Sequence, residues 1–228
     1  SEGRTRALIA AAVVGVGAYV VGSRADVPLV RLIAKPAPVL ALAILVLSRR
    51  RDRYAALIGL GLTLSALGDF LLERPGGFIT GLVAFLAAHL AYATAFVFEE
   101  KRLRAGRAAP FAAWLITAGL WLRPGLGTLA TPVAVYMLAI GTMMWRAAAR
   151  LDGAETRPGA RTALAGAILF GLSDTVLAID RFRRPLPYAG IAIMALYWAG
   201  QAAIACSAAG SSARPTPPRE PAPAPAGS

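Results

Sequence analysis

The chain has 228 residues, 57% of them hydrophobic and only 16% charged, with a mean hydropathy of +0.60 and a formal net charge of +12. A soluble domain carries about 25% charged residues, so this composition excludes an ordinary water-soluble fold and points to a chain that crosses a membrane several times. The single cysteine, Cys206, excludes an intramolecular disulfide, and the single histidine, His89, excludes a multi-histidine metal site and argues against zinc.

Ser1-Glu2-Gly3 reads as a cloning remnant, and Arg4 and Arg6 lead into the first apolar run. Eight apolar runs are expected to form helices, at 7–22, 28–47, 54–72, 78–98, 108–122, 128–145, 161–179 and 186–208. A helix needs roughly 17–25 apolar residues to cross a bilayer. Most of the runs reach that length; the first, fifth and sixth are short. The first is read as a span rather than a signal peptide, because Ser23-Arg24-Ala25 is a poor cleavage site. Helices are the expected spans, since backbone groups in lipid need internal partners and no alternating strand pattern appears. Breakers mark the loops: Glu73-Arg74-Pro75-Gly76-Gly77, Arg123-Pro124-Gly125 and Arg157-Pro158-Gly159. The expected organisation is a short N-terminal tail at 1–6, a transmembrane domain at 7–209 and a Pro/Ala-rich disordered tail at 210–228 with no part in the chemistry.

Basic residues sort onto two sides. One side collects 16 Lys and Arg, including Arg49 to Arg53 and Lys101 to Arg107; the other collects 6, at Arg24, Arg74, Arg123, Arg181, Arg183 and Arg184. By the positive-inside rule, both termini are cytoplasmic, and eight spans agree with that. The fold class is therefore all-α: a polytopic membrane helix bundle of eight transmembrane helices. The cell inner membrane is the expected location. The basic excess is read as topology and contact with anionic membrane lipid, with no nucleic-acid partner. Tyr54, Trp121, Trp145 and Tyr188 fall near span ends, as an aromatic belt requires.

Two spans carry acids. The run GAILFGLSDTVLAID (Gly166–Asp180) holds Ser173 and Asp174, and SALGDFLL near the end of the third span holds Ser65 and Asp69. An acid at mid-bilayer costs about 2.5–3.5 kcal/mol on insertion scales and usually faces a bundle interior. Gly61, Ser65 and Asp69 share one helical face, and Ala163, Ala167 and Gly171 form a small-residue stripe leading to Asp174. Both acids are thus expected to point at neighbouring helices, in the outer half of the membrane.

Other polar residues accompany them. Lys35 lies in the second span beside Pro36 and Pro38, His89 and Tyr92 in the fourth, Tyr136 in the sixth, and Tyr197 and Gln201 in the eighth. The third-to-fourth and seventh-to-eighth pairs share a weak pattern, with acids 105 residues apart, which leaves a four-plus-four repeat open beside a shared packing need.

These phrases resemble the YhhN/TMEM86 family of membrane proteins. The matching pieces are LGDFLL (Leu67–Leu72), FLAAHLAYATAF (Phe85–Phe96), Tyr136-Met137, GAILFGLSD (Gly166–Asp174) and Tyr197-Trp198-Ala199-Gly200-Gln201, in family order over roughly 30–208. The resemblance implies an eight-helix hydrolase that cleaves the vinyl ether bond of a lysoplasmalogen, with a lysophospholipid as substrate and no cofactor.

Such hydrolysis needs a proton donor, a negative group beside the developing oxocarbenium ion, and one water. A neutral and an ionised carboxyl group suit that division of labour, as in glycoside hydrolysis. Asp69 and Asp174 are therefore the candidate catalytic pair, expected to share one cavity, with their individual roles left open. His89, Tyr92, Tyr136, Ser173, Tyr197 and Gln201 are candidate supporting residues, and Lys35 would pair with an Asp or hold the substrate phosphate. Glu73 and Asp180 are read as outer-edge residues, and the Arg181-Phe182-Arg183-Arg184 run as a solvated loop. Ser65 and Ser173 lack a GxSxG frame, which argues against serine catalysis. Purely structural acids, a proton-coupled transporter and a non-enzymatic lipid-binding protein are the competing readings. The headgroup, chain length and oligomeric state are left open.

Overall fold

The protein is described here by a computed structural model over residues 2–49, 52–151 and 159–210. Ser1, Arg50, Arg51, the Arg157-Pro158 turn and the 211–228 tail lie outside the described residues. Nine α-helices are present among the described residues: α1 (Glu2–Arg24), α2 (Pro28–Ala34), α3 (Ala37–Arg49), α4 (Arg53–Leu72), α5 (Phe78–Glu99), α6 (Ala109–Leu126), α7 (Ala130–Ala149), α8 (Ala160–Phe182) and α9 (Ala189–Gly210). The protein is an all-α, multi-pass membrane bundle. Large apolar side chains such as Val13, Leu29, Ile116, Leu138 and Ile191 are exposed on its outside, where lipid would cover them.

Seven stretches are long and apolar enough to cross a membrane, against eight expected. The difference lies in Ala105–Ala149, a 45-residue stretch containing two of the expected runs. The expected break at Arg123-Pro124-Gly125 is displaced. Helix α6 runs through Pro124 and stops at Gly127, whose φ of +50° suits glycine. A proline this close to the end of a helix disturbs little of the ladder after it. The second span is α2 and α3 together. The helix is interrupted at Lys35 and Pro36, although the Lys35 backbone stays helical at φ −61°, ψ −50°.

Local signals explain the helix ends. Asp52 caps α4 by accepting from Ala55 N at 2.9 Å. Asp180 Oδ1 accepts from Leu186 N at 2.8 Å and closes the α8–α9 turn. The α4–α5 turn needs Gly77, because a Cβ there would lie 1.8 Å from the Leu71 carbonyl oxygen.

The antiparallel pairs α4–α5 and α8–α9 are the main hairpins; α3 packs against α4 and α9, and α7 packs against α5 and α8. Small residues let α8 and α9 touch backbone to backbone. A Cβ at Gly166 would stand 2.7 Å from the Gly200 carbonyl oxygen. Gly166→Val is therefore expected to destabilise the bundle by about 1–3 kcal/mol through overpacking, read as a lower melting temperature in detergent. An unchanged melting temperature would show that the helices can separate without cost.

Charges collect at the two ends of the bundle as the sequence pattern implies. At one end Arg49 Nη2 donates to Thr5 Oγ1 at 2.7 Å, and Arg146 Nη1 donates to the Arg102 and Leu103 carbonyl oxygens at 3.0 Å. Arg31, Glu73 and Arg181 lie at the other end, where Arg181 stacks 3.7 Å over the Phe78 ring. Tyr54 is buried rather than part of an aromatic belt, and two of the 16 basic residues on the more basic side, Arg146 and Arg150, are buried in and at the end of α7.

Candidate active site

Asp69 projects from α4 and Asp174 from α8, and both line one cavity of about 110 Å³. Apolar side chains from α5, α6, α7 and α9 form most of its wall, among them Phe85, Trp114, Ile140 and Met194. Their positions follow from helical periodicity. Gly61 leaves room for the Tyr92 ring, and two turns further along the same face Asp69 reaches the cavity. Gly171 receives the Met144 sulfur, so α8 sits close to α7 just before Asp174.

Each acid has a tyrosine. Tyr197 Oη on α9 donates to Asp69 Oδ2 at 2.7 Å, and Tyr136 Oη on α7 donates to Asp174 Oδ2 at 2.5 Å. His89 on α5 is fully buried, with Nε2 4.0 Å from Asp174 Oδ2. Each acid is thus faced by a polar side chain from the second helix of the other hairpin: Asp69 by Tyr197, and Asp174 by His89.

The remaining expected site residues separate into groups. Ser173 lines the cavity, but its hydroxyl donates to the Ile193 carbonyl oxygen at 3.0 Å. Tyr92 and Gln201 do not line it. Tyr92 Oη donates to Gln201 Oε1 at 2.7 Å, and Ser65 Oγ stands 3.5 Å from the same hydroxyl. They form a buried polar tier beside the site. Lys35 lines the cavity, yet its ion pair is not with an aspartate: Lys35 Nζ donates to Glu73 Oε1 at 2.9 Å, and Arg31 Nε donates to Glu73 Oε2 at 3.0 Å. Among the described residues no three His, Cys, Asp or Glu side chains cluster as metal ligands.

Two participants escaped the sequence reading. Glu73 is four residues past Asp69, so it shares that helical face one turn nearer the end of the bundle. Phe170 is four residues before Asp174 and sits between His89 and Tyr197, with its ring centroid 4.6 Å from His89 and 5.3 Å from Tyr197. The same spacing rule was available for both; neither residue type advertises a partner.

Glu73 gives the site a pH-dependent strut. Burial pushes its carboxyl up, but Lys35 and Arg31 outweigh burial and hold it below its ordinary value of 4.5. The stability this contributes is full above the ordinary value and is lost as pH falls through the depressed one. Glu73→Gln is expected to cost about 1–3 kcal/mol at neutral pH. Melting curves of wild type and variant should converge once the pH has fallen through the depressed value. A gap that persists at low pH would sink this account.

A family model described as the YhhN family matches residues 30–208. The chain is 40% identical over 159 residues to "Lysoplasmalogenase TMEM86A" of Bos taurus, covering 68% of this chain and 65% of that protein. It is 38% identical over 159 residues to "Lysoplasmalogenase TMEM86B" of Homo sapiens, covering 68% of this chain and 64% of that protein. A protein named "Lysoplasmalogenase" from Mycobacterium tuberculosis (strain CDC 1551 / Oshkosh) is 39% identical over 132 residues, covering 53% of this chain and 48% of the relative. The chain thus spans just under two thirds of the length of the mammalian relatives it matches. No solved structure matches it. With the family's phrases running in order from the second span to the last, and its model covering most of the bundle, the chain belongs to the YhhN family.

Proposed function

We propose that this chain is an integral-membrane hydrolase that cleaves the vinyl ether bond of lysoplasmalogens, releasing a fatty aldehyde and a glycerophospho-alcohol. The observation that carries the reading is the pair of carboxyl groups from α4 and α8 on one apolar cavity, each bonded to a tyrosine hydroxyl. The names of the relatives point the same way. The working topology is eight crossings, with Ala105–Ala149 crossing twice and both termini cytoplasmic. The membrane is a bacterial inner membrane.

The chemistry assigns each group a task. Asp174, beside His89, donates a proton to the outer carbon of the double bond. The resulting oxocarbenium ion is faced by the Asp69 carboxylate, which interacts electrostatically with Lys35. Water adds to the cationic carbon and gives its proton to a carboxylate. The hemiacetal hydroxyl then gives its proton to the ionised carboxylate as the bond to the glycerol oxygen breaks, the protonated carboxyl gives its proton to that oxygen, and the alcohol leaves while the aldehyde remains. Tyr136 and Tyr197 hold the carboxyl groups in place, and Lys35 stays with Glu73 at the cavity edge.

The test is the purified full chain in detergent with a vinyl-ether lysolipid. Release of aldehyde, followed with a coupled dehydrogenase, supports the hydrolase. Proton-driven uptake into vesicles without aldehyde would replace it with a transporter. Binding without either would leave a lipid-binding protein.

A further inference from the structure

The acids account for the depth of the cavity but not for its opening. A second space of about 330 Å³ adjoins it at the Glu73 end, lined by Lys35, Arg74, Gly76, Gly77, Phe78 and Arg181 among others. Lys35, Leu72, Phe78, Leu177 and Arg181 line both spaces, so the two lie side by side. No carboxylate lines this mouth.

The charges there are unevenly matched. Glu73 is shared by Lys35 and Arg31, and Arg31 also reaches Asp26 at 3.3 Å. Arg74 and Arg181 meet no carboxylate among the described residues. Each instead lies over an aromatic ring, Arg74 at 5.8 Å from the Phe70 centroid and Arg181 at 3.7 Å from that of Phe78. Stacking positions a guanidinium while leaving its N–H edge free for an anion.

We propose that this mouth is a phosphodiester subsite, in which Arg74, Arg181 and Lys35 hold the phosphate of a glycerophospholipid while its chain enters the cavity. The proposal rests on the hydrolase reading for its orientation. The length scales agree. Asp69 lies four residues deeper than Glu73, about 6 Å along a helix. Five bonds separate a headgroup phosphorus from the ether oxygen at the far end of glycerol, also about 6 Å extended, because bonds of ~1.5 Å zigzag at tetrahedral angles and each advances the chain by only about 1.25 Å. A phosphate at the mouth therefore brings the ether oxygen to the depth of the acids. Cations at the mouth and acids within also prevent the reverse entry, since carboxylates repel a phosphate.

The test uses the full chain in detergent and two uncleavable probes of equal chain length: a 1-O-alkyl-glycerophosphocholine lysolipid and the matching 1-O-alkylglycerol. Binding is read from tryptophan fluorescence, with Trp114 on the cavity wall as reporter. Wild type is expected to favour the phospholipid by about tenfold or more, a typical worth for charge-assisted bonds. Arg74→Gln/Arg181→Gln should bring that ratio toward one, and Arg74→Lys/Arg181→Lys should restore part of it. Salt should weaken binding of the phospholipid and not of the alkylglycerol, a check needing no variant. Inorganic phosphate should bind far more weakly than the lysolipid; equal affinity would make this a free-phosphate site and overturn the lipid assignment. Equal wild-type affinity for the two lipids, or a ratio unmoved in the Gln double variant, would also overturn the proposal. Neither probe carries a vinyl ether, so phospholipid preference without aldehyde release from the cleavable lipid would reject the hydrolase reading and leave the subsite standing.

Discussion

Asp69→Asn and Asp174→Asn are each expected to lower aldehyde release by about 10²–10⁴-fold, the usual range for a lost general acid or a lost stabilising charge. Asparagine keeps the shape of the side chain and an oxygen that can accept from the tyrosine. Tyr197 donates to one acid and Tyr136 to the other, so these anchors should survive the exchange. What disappears is the transferable proton or the negative charge. The double variant should be little worse than either single one, because groups that act as a unit are not additive. Gel filtration and melting curves must match wild type for the comparison to count. Near-normal turnover in both single variants would reject the paired-acid mechanism.

Arg150→Ala is expected to cost about 3–5 kcal/mol of stability, the range for breaking a buried charged network. Arg150 is fully buried at the end of α7, far from the cavity. Its Nη1 donates to Tyr54 Oη at 2.8 Å, and that hydroxyl stands 2.6 Å from Ser207 Oγ. The guanidinium also lies over the rings of Tyr54 and Phe96, 4.7 and 5.5 Å from their centroids. One side chain thereby ties α4, α5, α7 and α9 together at the end of the bundle opposite the acids. Truncation leaves a void, the Tyr54 hydroxyl without its charged donor, and Glu99 without the guanidinium that stands 4.0 Å from its carboxylate. Arg150→Met should be milder, because it fills the space and adds no unpaired charge. Melting temperature in detergent decides the matter: a smaller loss for Met than for Ala is expected, and equal losses would show that the charged network alone, and not the filled volume, holds this end.

The helical architecture was legible in composition because a bilayer imposes a local rule. An apolar run of sufficient length becomes a helix wherever it sits, so α4, α5, α8 and α9 lie close to their expected bounds. The same locality misled at Pro124, where a breaker near the end of α6 was read as a loop. It also misread Tyr54 and Arg150, whose types are common at membrane surfaces but which are buried here.

The candidate site was legible in part. The cost of a carboxylate in lipid marked Asp69 and Asp174, and helical spacing turned both toward neighbours. Spacing could not say which neighbours. Tyr197 and Asp69 are 128 residues apart, and Lys35 and Glu73 are 38 apart. No periodic pattern along one helix encodes a contact with another. Such pairs are settled when whole helices pack, through close approaches such as Gly166 against Gly200 and Gly171 against Met144. Residue chemistry and period therefore identified the acids and the faces that carry them. Bundle packing chose Glu73 over an aspartate for Lys35, moved Tyr92 and Gln201 off the cavity, and set Phe170 between His89 and Tyr197, because each outcome depends on contacts summed over several helices at once.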